Sequence, residues 1–220
     1  MTIIFASNNA KKLQELRAIL PTFEVQSYRT SLDAIEVMEN GSSFAENARL
    51  KARAIYDRLP NKNNLCVLAD DSGLCVDALN GMPGIFSARF ADIPQNAHQI
   101  AQGDFDVPQQ DLGDQANNLK LLACLKELGV KQSGASFVCV MALCVCVGGV
   151  LQEKSFRGEC RGKVCQAPLN PKAFGYDPLF IPEGHTLTMD RIATKNTLSH
   201  RFLALQQCKE FLKTLNAKIL

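Results

Sequence analysis

The sequence predicts a mixed α/β fold, and two features carry this prediction. First, short apolar and β-branched runs alternate with amphipathic helical patterns from the amino terminus onward. Second, the long apolar run at residues 136–147 is followed by Gly148-Gly149 and another strand-like run, which is the pattern of a β-hairpin. A chain of 220 residues can bury a substantial core. We therefore expect one domain over residues 1–220, built as a single body or as two closely packed lobes.

The predicted elements follow from local patterns. Apolar and β-branched runs predict strands at residues 2–7, 23–28, 65–69, 74–78, 136–147, 150–157 and 179–181. Helical spacing of apolar residues predicts helices before Pro21, between Ser43 and Pro60, at residues 117–128, and after Ser199. Ser43 with Glu46 three residues later is a capping-box pattern. Asp, Ser and Gly at residues 70–73 predict a turn, and we expect residues 91–113 and 158–173 to be irregular, with at most a short helix in the first.

Composition excludes several classes of protein. The formal net charge of +2 argues against a dedicated nucleic-acid surface. The first apolar run is too short for a signal peptide, and the stretch 137–147 is about half as long as a membrane-spanning helix. We therefore expect a cytoplasmic protein with no membrane or nucleic-acid partner. Nine cysteines without a C-x-x-C pair, beside three scattered histidines, predict reduced and largely buried thiols and no zinc site.

The first candidate for chemistry is the polar turn between the first strand and the first helix. Its residues are Ser7, Asn8, Asn9, Ala10, Lys11 and Lys12. Free N–H groups at a helix start, together with two ammonium groups, suit phosphate binding. An ordinary turn with solvated lysines is the alternative. The chain has no P-loop and no dinucleotide-binding glycine pattern, so those two folds are excluded.

Adjacent acids after a buried strand are the second candidate. Asp70 and Asp71 offer the oxygen ligands that Mg²⁺ prefers, and one of them could take a proton from water as a general base. The alternative is a turn that merely favours Asp, Ser and Gly.

Two further segments could bind a nucleotide. The aromatic residues and the glycine of Phe174-Gly175-Tyr176-Asp177-Pro178 could hold a flat base, although core aromatics beside a turn would look similar. Residues 195–201 form a basic cluster at a helix start, for which a solvated helix face with a Ser cap is the alternative.

Taken together, six blocks of sequence resemble the inosine triphosphate pyrophosphatase family. The blocks are A-S-N-N-A-K-K-L-Q-E-L, S-F-A-E-N-A-R-L-K-A, A-D-D-S-G-L, P-G-I-F-S-A-R-F, F-G-Y-D-P-L-F and K-N-T-L-S-H-R, and they extend from residue 6 to residue 201. The resemblance implies an elongated mixed β-sheet flanked by helices, in two lobes with a nucleotide cleft between them, and a homodimer. It also implies Mg²⁺-dependent hydrolysis of ITP, dITP and XTP to the monophosphate and pyrophosphate.

The resemblance also implies a role for individual residues. Asp71 matches the catalytic base and a metal ligand, and Glu39 and Asp70 match the other metal carboxylates. Residues expected to contact the substrate are Ser7, Asn8, Asn9, Ala10, Lys11, Lys12, Lys51, Ser72, Phe174, Gly175, Tyr176, Asp177, Lys195, His200 and Arg201. The family usually has glycines just before the F-G-Y-D-P block, where this chain has Pro171, Lys172 and Ala173. The shape of the base-side loop is therefore left open.

Two alternatives remain at this stage. A sister family of nucleotide pyrophosphatases acts on pyrimidine or modified nucleotides. A purine-nucleotide sensor would bind without hydrolysis, but the intact Asp70-Asp71 pair argues against it, since a binder needs no base. For the purine enzyme we expect selectivity to come from the 6-oxo group, recognised by donors such as Arg201 or backbone N–H groups.

Overall fold

The strands form one six-stranded mixed sheet in a computed structural model, which describes residues 1–166, 170 and 173–219. The strands are β1 Thr2–Phe5, β2 Glu24–Ser27, β3 Leu65–Val76, β4 Gln132–Val147, β5 Val150–Cys165 and β6 Phe180–Pro182. Their order in the sheet is β2-β1-β3-β4-β5-β6. The helices are α1 Ala10–Ile19, α2 Phe44–Arg58, α3 Ala97–Gln102, α4 Asp114–Glu127 and α5 His200–Ile219.

The directions of the strands confirm the mixed sheet. Strand β1 runs parallel to both β2 and β3, whereas β5 and β6 are antiparallel. Gly148 and Gly149 lie between β4 and β5 with φ of 58° and 81°. A two-residue hairpin turn of this type needs positive φ at both positions, which glycine adopts without steric cost. The predicted hairpin is therefore confirmed.

The chain divides into two compact units. The first unit contains Met1–Asp71, Cys139–Gly158 and His200–Leu220, and the second contains Ser72–Val138 and Glu159–Ser199. Three of the four boundaries fall inside strands, because β3, β4 and β5 each contribute residues to both units.

In the first unit, alternating side chains of each strand enter two separate cores. Residues Cys66 and Leu68 of β3 pack in one core with Leu16 of α1 and Leu205 of α5. Their neighbours Val67 and Ala69 pack in the other core with Ala48, Ala52 and Ile55 of α2. Successive side chains of a strand point to opposite faces. Asp70 and Asp71, the next two residues, therefore emerge on the α1/α5 face and the α2 face respectively.

The second unit has a core of its own. Apolar residues of β3 beyond the acids, of α3 and of α4 pack with Phe137 of β4 and Phe180 of β6. Phe137 and Phe180 meet edge to face, with ring centroids 4.6 Å apart. This core supports the Phe174–Asp177 loop, since Tyr176 and Leu179 are buried within it.

Two sequence predictions are wrong for the same physical reason. The predicted turn at residues 70–73 is part of β3, and β5 continues to Cys165 through a segment expected to be irregular. In each segment a glycine allows a close backbone contact. A Cβ at Gly73 would lie 2.2 Å from the carbonyl oxygen of Gly84, and one at Gly158 would lie 2.0 Å from that of His200. Pro171 and Lys172 lie outside the described residues.

The predicted cap of α2 is confirmed with one difference. Ser43 is the N-cap, and its side chain accepts the backbone N–H of Glu46 at 3.2 Å. The Glu46 carboxylate accepts the backbone N–H of Ser42 at 2.7 Å, one residue earlier than in a standard capping box. All nine cysteines are free thiols, six of them buried. Among the helices of the described residues, none combines the length and apolar character needed to cross a membrane.

Candidate functional site

The polar turn after β1 is held by its own side chains. Ser7 Oγ accepts the N–H of Asn9 at 3.2 Å, and Asn9 Oδ1 caps α1 by accepting the N–H of Lys12 at 3.1 Å. Tyr28 donates its hydroxyl to Asn8 Oδ1 at 2.7 Å. An Asn cap satisfies one of the free N–H groups at a helix start. The turn is therefore fixed before any ligand arrives, with Lys12 in the first turn of α1.

Asp70 is the centre of a buried network of charges. Its Oδ2 lies 2.9 Å from Lys12 Nζ and 3.4 Å from Arg201 Nη2. Arg201 also donates to the carboxylate of Glu15, which lies one turn after Lys12 on α1. Asp70 is 2% exposed and Arg201 is 3% exposed. The network thus joins α1 and α5 to a single strand residue.

The charges around Asp70 keep it ionised. Burial alone would raise its pKa, because the charged form loses its hydration. The positive charges of Lys12, Arg201 and Lys51 outweigh that effect and hold the pKa of Asp70 below its usual value. We expect Asp70 to remain a carboxylate throughout the physiological pH range.

Asp71 has the opposite environment on the α2 face. Lys51 Nζ lies 3.3 Å from Asp71 Oδ1 and 3.1 Å from Glu39 Oε2. Burial raises the pKa of Asp71 to about 6; Lys51 opposes this shift, and the negative charges of Glu39 and Asp70 add to it. A carboxylate with a pKa near neutral pH is suited to take a proton from water.

The donor set fits a divalent cation of the Mg²⁺ type. The carboxylates of Glu39 and Asp71 converge on one ammonium group, so they are aimed at a common cation position. Mg²⁺ is commonly held by one or two carboxylates, with water and phosphate oxygens as its other ligands. The described part of the chain holds no cluster of three or more His, Cys, Asp or Glu side chains arranged for a metal. Asp70, the third predicted metal ligand, contacts Lys12 and Arg201 in this structure.

In the second unit, the predicted base loop has a defined conformation. Gly175 has a φ of 56°; its N–H donates to Asp114 Oδ2 at 2.8 Å, and its carbonyl accepts from Asn118 Nδ2 at 2.9 Å. Tyr176 donates its hydroxyl to the carbonyl of Ser87 at 2.8 Å. Two residues of α4 and one of the P-G-I-F-S-A-R-F block therefore hold this loop in place.

Asp177 ends the loop in an ion pair. Its Oδ2 lies 3.0 Å from Lys195 Nζ, and Asp177 itself is buried. Phe174, at the other end of the loop, is half-buried.

The predicted site residues fall into two groups. The first unit contains Ser7, Asn8, Asn9, Ala10, Lys11, Lys12, Glu39, Lys51, Asp70, Asp71, His200 and Arg201, and the second contains Ser72, Phe174, Gly175, Tyr176, Asp177 and Lys195. Sequence reasoning missed the side chains that hold these groups: Glu15, Tyr28, Asn47, Asp114 and Asn118. Glu15 and Asn47 lie inside two of the recognised blocks at helical spacing from Lys12 and Lys51, which is the signal that could have identified them.

Comparison with known proteins gives a consistent result. The model of the Ham1 family matches residues 3–211. The chain is 40% identical to the dITP/XTP pyrophosphatase of Campylobacter jejuni subsp. jejuni serotype O:6, covering 98% of this chain and 99% of that relative. It is 41% identical to the dITP/XTP pyrophosphatase of Frankia alni, covering 97% and 98%.

Solved structures agree. The Staphylococcus aureus Ham1 protein superposes with a TM-score of 0.74 at 33% identity, covering 97% of this chain and 99% of the other. The nucleoside-triphosphatase, or dITP/XTP pyrophosphatase, of Mycobacterium abscessus gives 0.65 at 36% identity, covering 94% and 98%.

The raised pKa of Asp71 predicts that Asp71→Asn stabilises the fold at neutral pH. Folding raises this pKa from about 4 to about 6, so the ionised side chain costs stability as the pH rises through that window. At pH 7.5 the neutral amide should increase the free energy of unfolding by about 1–3 kcal/mol, since one pKa unit corresponds to about 1.4 kcal/mol. Urea unfolding should show the gain shrinking as the pH falls toward 4.

Asp70→Asn is the matched control, because its pKa shift has the opposite sign. A lowered pKa contributes stability above the unfolded-state pKa and loses it as the pH falls. This variant should therefore be destabilised at pH 7.5. Equal effects of the two substitutions would contradict the assignment of opposite environments to the two acids.

Proposed function

Because this chain belongs to the Ham1 family, we propose that it is a nucleoside-triphosphate pyrophosphatase that hydrolyses ITP, dITP and XTP to the monophosphate and pyrophosphate. Such a reaction removes deaminated purines from the nucleotide pool. The relatives named dITP/XTP pyrophosphatase support this substrate class, since they match the chain over almost its full length.

The opposite environments of the two adjacent acids carry the proposal of hydrolysis. Asp70 is held ionised by Lys12 and Arg201, whereas the pKa of Asp71 lies at about 6. Two carboxylates whose pKa values are driven apart are typical of acid–base catalysis. Asp71 takes a proton from a water molecule, whose oxygen bonds to the α-phosphorus while the bond from that phosphorus to the bridging oxygen breaks. A nucleotide sensor would have no use for such a base.

Phosphate binding falls to the lysines and the start of α1. The side chains of Lys12 and Lys51 are only 18% and 14% exposed, so the attraction of their charges for phosphate oxygens is weakly screened by water. Ser7 and Asn9 shape the turn so that the remaining N–H groups of α1 can face an anion. Lysine gives charge without a fixed fork geometry, which suits a flexible triphosphate.

Glu39 and Asp71 are the residues that would hold Mg²⁺, as their convergence on Lys51 supports. A bound Mg²⁺ would neutralise phosphate charge and make the α-phosphorus more electrophilic. Asp70 serves the site indirectly in this proposal, as the anion that positions Lys12 and Arg201. Homodimer formation, which the resemblance to the family implies, and the cytoplasmic location expected from the sequence complete the proposal.

The base is assigned to the loop Phe174–Asp177. The half-buried Phe174 would stack its ring on the base, whatever the identity of the base. Such stacking typically contributes about 1–3 kcal/mol to binding. To distinguish 6-oxopurines from adenine, the site needs hydrogen-bond donors that face the 6-oxo group. The same donors would face the amino group of adenine unfavourably, and discrimination of this kind can reach roughly 10⁴–10⁵-fold. Backbone N–H groups are the better source of these donors, since the Arg201 guanidinium binds Asp70 and Glu15.

A panel of nucleoside triphosphates tests the proposal directly. With Mg²⁺ present, we expect pyrophosphate release to be fastest from ITP, dITP and XTP, slow from GTP and nearly absent from ATP. Phe174→Ala should lower kcat/KM for all purines alike, because stacking does not depend on the 6-substituent.

Asp71→Asn is the control for contaminating enzymes. It should lower kcat by about 10²–10⁴-fold, the usual value of a general base. Cleavage of ATP or of a pyrimidine triphosphate as efficient as that of ITP would favour the sister family. Binding of ITP with no pyrophosphate release would favour the sensor.

Turnover should depend on the metal and should not depend on the oxidation state of the thiols. Activity should be lost in excess EDTA and restored by Mg²⁺, and strong reductant should have no effect because all nine cysteines are already free. Full activity in EDTA would contradict the role given to Glu39 and Asp71.

The two lysines of the polar turn should differ in their importance. Lys12→Ala should reduce kcat/KM for ITP by about 10-fold or more, since it removes a charge-assisted contact and leaves Asp70 with one cation fewer. Lys11→Ala should have a smaller effect, because Lys11 is exposed. Steady-state kinetics of both variants would test this. Equal or reversed effects on kcat/KM would mean that the roles of Lys11 and Lys12 in the turn are assigned incorrectly.

A further inference from the structure

Asn47 is a buried polar residue that the proposed reaction does not yet use. It lies in the first turn of α2, is 1% exposed, and belongs to the S-F-A-E-N-A-R-L-K-A block. A buried amide costs stability unless both its oxygen and its nitrogen find partners. The side-chain oxygen and nitrogen of Asn47 each have a partner: the N–H of Gly41, two residues after Glu39, and the carboxylate of Asp71.

The nitrogen of Asn47 holds the proposed base. Asn47 Nδ2 donates to Asp71 Oδ2 at 3.3 Å, and Lys51 Nζ lies 3.3 Å from Oδ1 of the same carboxylate. Asn47 and Lys51 are four residues apart on α2, so they lie on one face of the helix. One face of α2 therefore contacts both oxygens of Asp71 and fixes the plane of its carboxylate.

The oxygen of Asn47 holds the segment that follows Glu39. Asn47 Oδ1 accepts the N–H of Gly41 at 2.8 Å. A Cβ at Gly41 would lie 2.8 Å from that oxygen and 2.7 Å from the Cβ of Glu46, so glycine permits this close approach. The amide can adopt one orientation only, because the opposite one would place N–H against N–H at Gly41 and oxygen against oxygen at Asp71.

We propose that Asn47 is a positioning residue that orients the Asp71 carboxylate and holds it in register with the Glu39 segment. This inference rests on the hydrolytic function proposed above. The amide links the Asp71 carboxylate to the backbone two residues after Glu39, although it need not touch the substrate itself. Its removal should therefore slow the chemical step and leave the binding of the nucleotide largely intact.

The Asn47→Asp variant tests the donor of the side-chain amide separately from its acceptor. The substitution is isosteric and keeps an acceptor for Gly41, but it replaces the donor to Asp71 with an oxygen. We expect kcat for ITP to fall by about 10–100-fold, as is typical when a residue that orients a catalytic carboxylate is changed. KM for ITP, and the calorimetric Kd for α,β-methylene-ITP, should stay close to the wild-type values. Asn47→Ala, which introduces no charge, should also lower kcat.

Asn117 provides a matched control on α4. It is 2% exposed, and its amide accepts the N–H of Ala91 at 2.8 Å and donates to the carbonyl of Ala88 at 3.0 Å. Asn117→Asp should lower Tm, because it also removes a hydrogen bond donated by a buried side-chain amide. It should leave kcat per folded molecule unchanged. A merely structural Asn47 would behave in the same way as Asn117.

Crystal structures of the wild type and of Asn47→Asp would test the positioning role without a measurement of activity. We expect the Asp71 carboxylate to rotate away from α2 in the variant. An unmoved Asp71, or a kcat equal to that of wild type, would overturn the positioning role. If wild type released no pyrophosphate from any triphosphate, the proposed function would fail, and the orientation of Asp71 in the two structures would still decide the role of Asn47.

Discussion

Asp70 places an ionised carboxylate in the interior of the first unit, and the surrounding chain is arranged to balance that charge. Lys12 comes from α1, near the start of the sequence, and Arg201 comes from α5, near its end. Loss of one partner from a buried ion pair typically costs about 3–5 kcal/mol, because the remaining charge stays buried without compensation. The network therefore links the two helices to β3, and it gives Lys12 a defined position in the site.

Asp71 shows how one strand can hold two acids whose pKa values are shifted in opposite directions. Because adjacent strand residues face opposite sides, Asp70 contacts two cations, Lys12 and Arg201, on the α1/α5 face. Asp71 is also buried, but on the α2 face it contacts one cation, Lys51, and the negative charge of Glu39 raises its pKa further. Had residues 70–73 formed a turn, both carboxylates could have turned toward the same cations. The extended backbone thus keeps their environments separate, and stability is given up at the position that needs reactivity.

Much of the fold was predictable because apolar periodicity and turn residues act locally. The hairpin glycines, the Ser43 cap and the run of β1 are examples. The Asp70–Gly73 segment was not, because its strand conformation depends on contacts of Gly73 with residues more than ten positions away. The types of residue in the site were recognisable from their motifs. The side chains that hold them, such as Asn47 and Glu15, lie at helical spacing from Lys51 and Lys12, but their partners became evident from distances between atoms.

The free cysteines give the molecule a particular response to oxidants. Burial raises the pKa of Cys139, Cys144 and Cys208 to about 12, so these thiols are scarcely ionised at neutral pH. Disulfide exchange and oxidation proceed through the thiolate, and the folded core is therefore inert toward them. Unfolding restores the ordinary acidity of these three buried thiols together. A chain that is kept unfolded in air would then form disulfides over roughly seconds to hours, and these would make its unfolding irreversible.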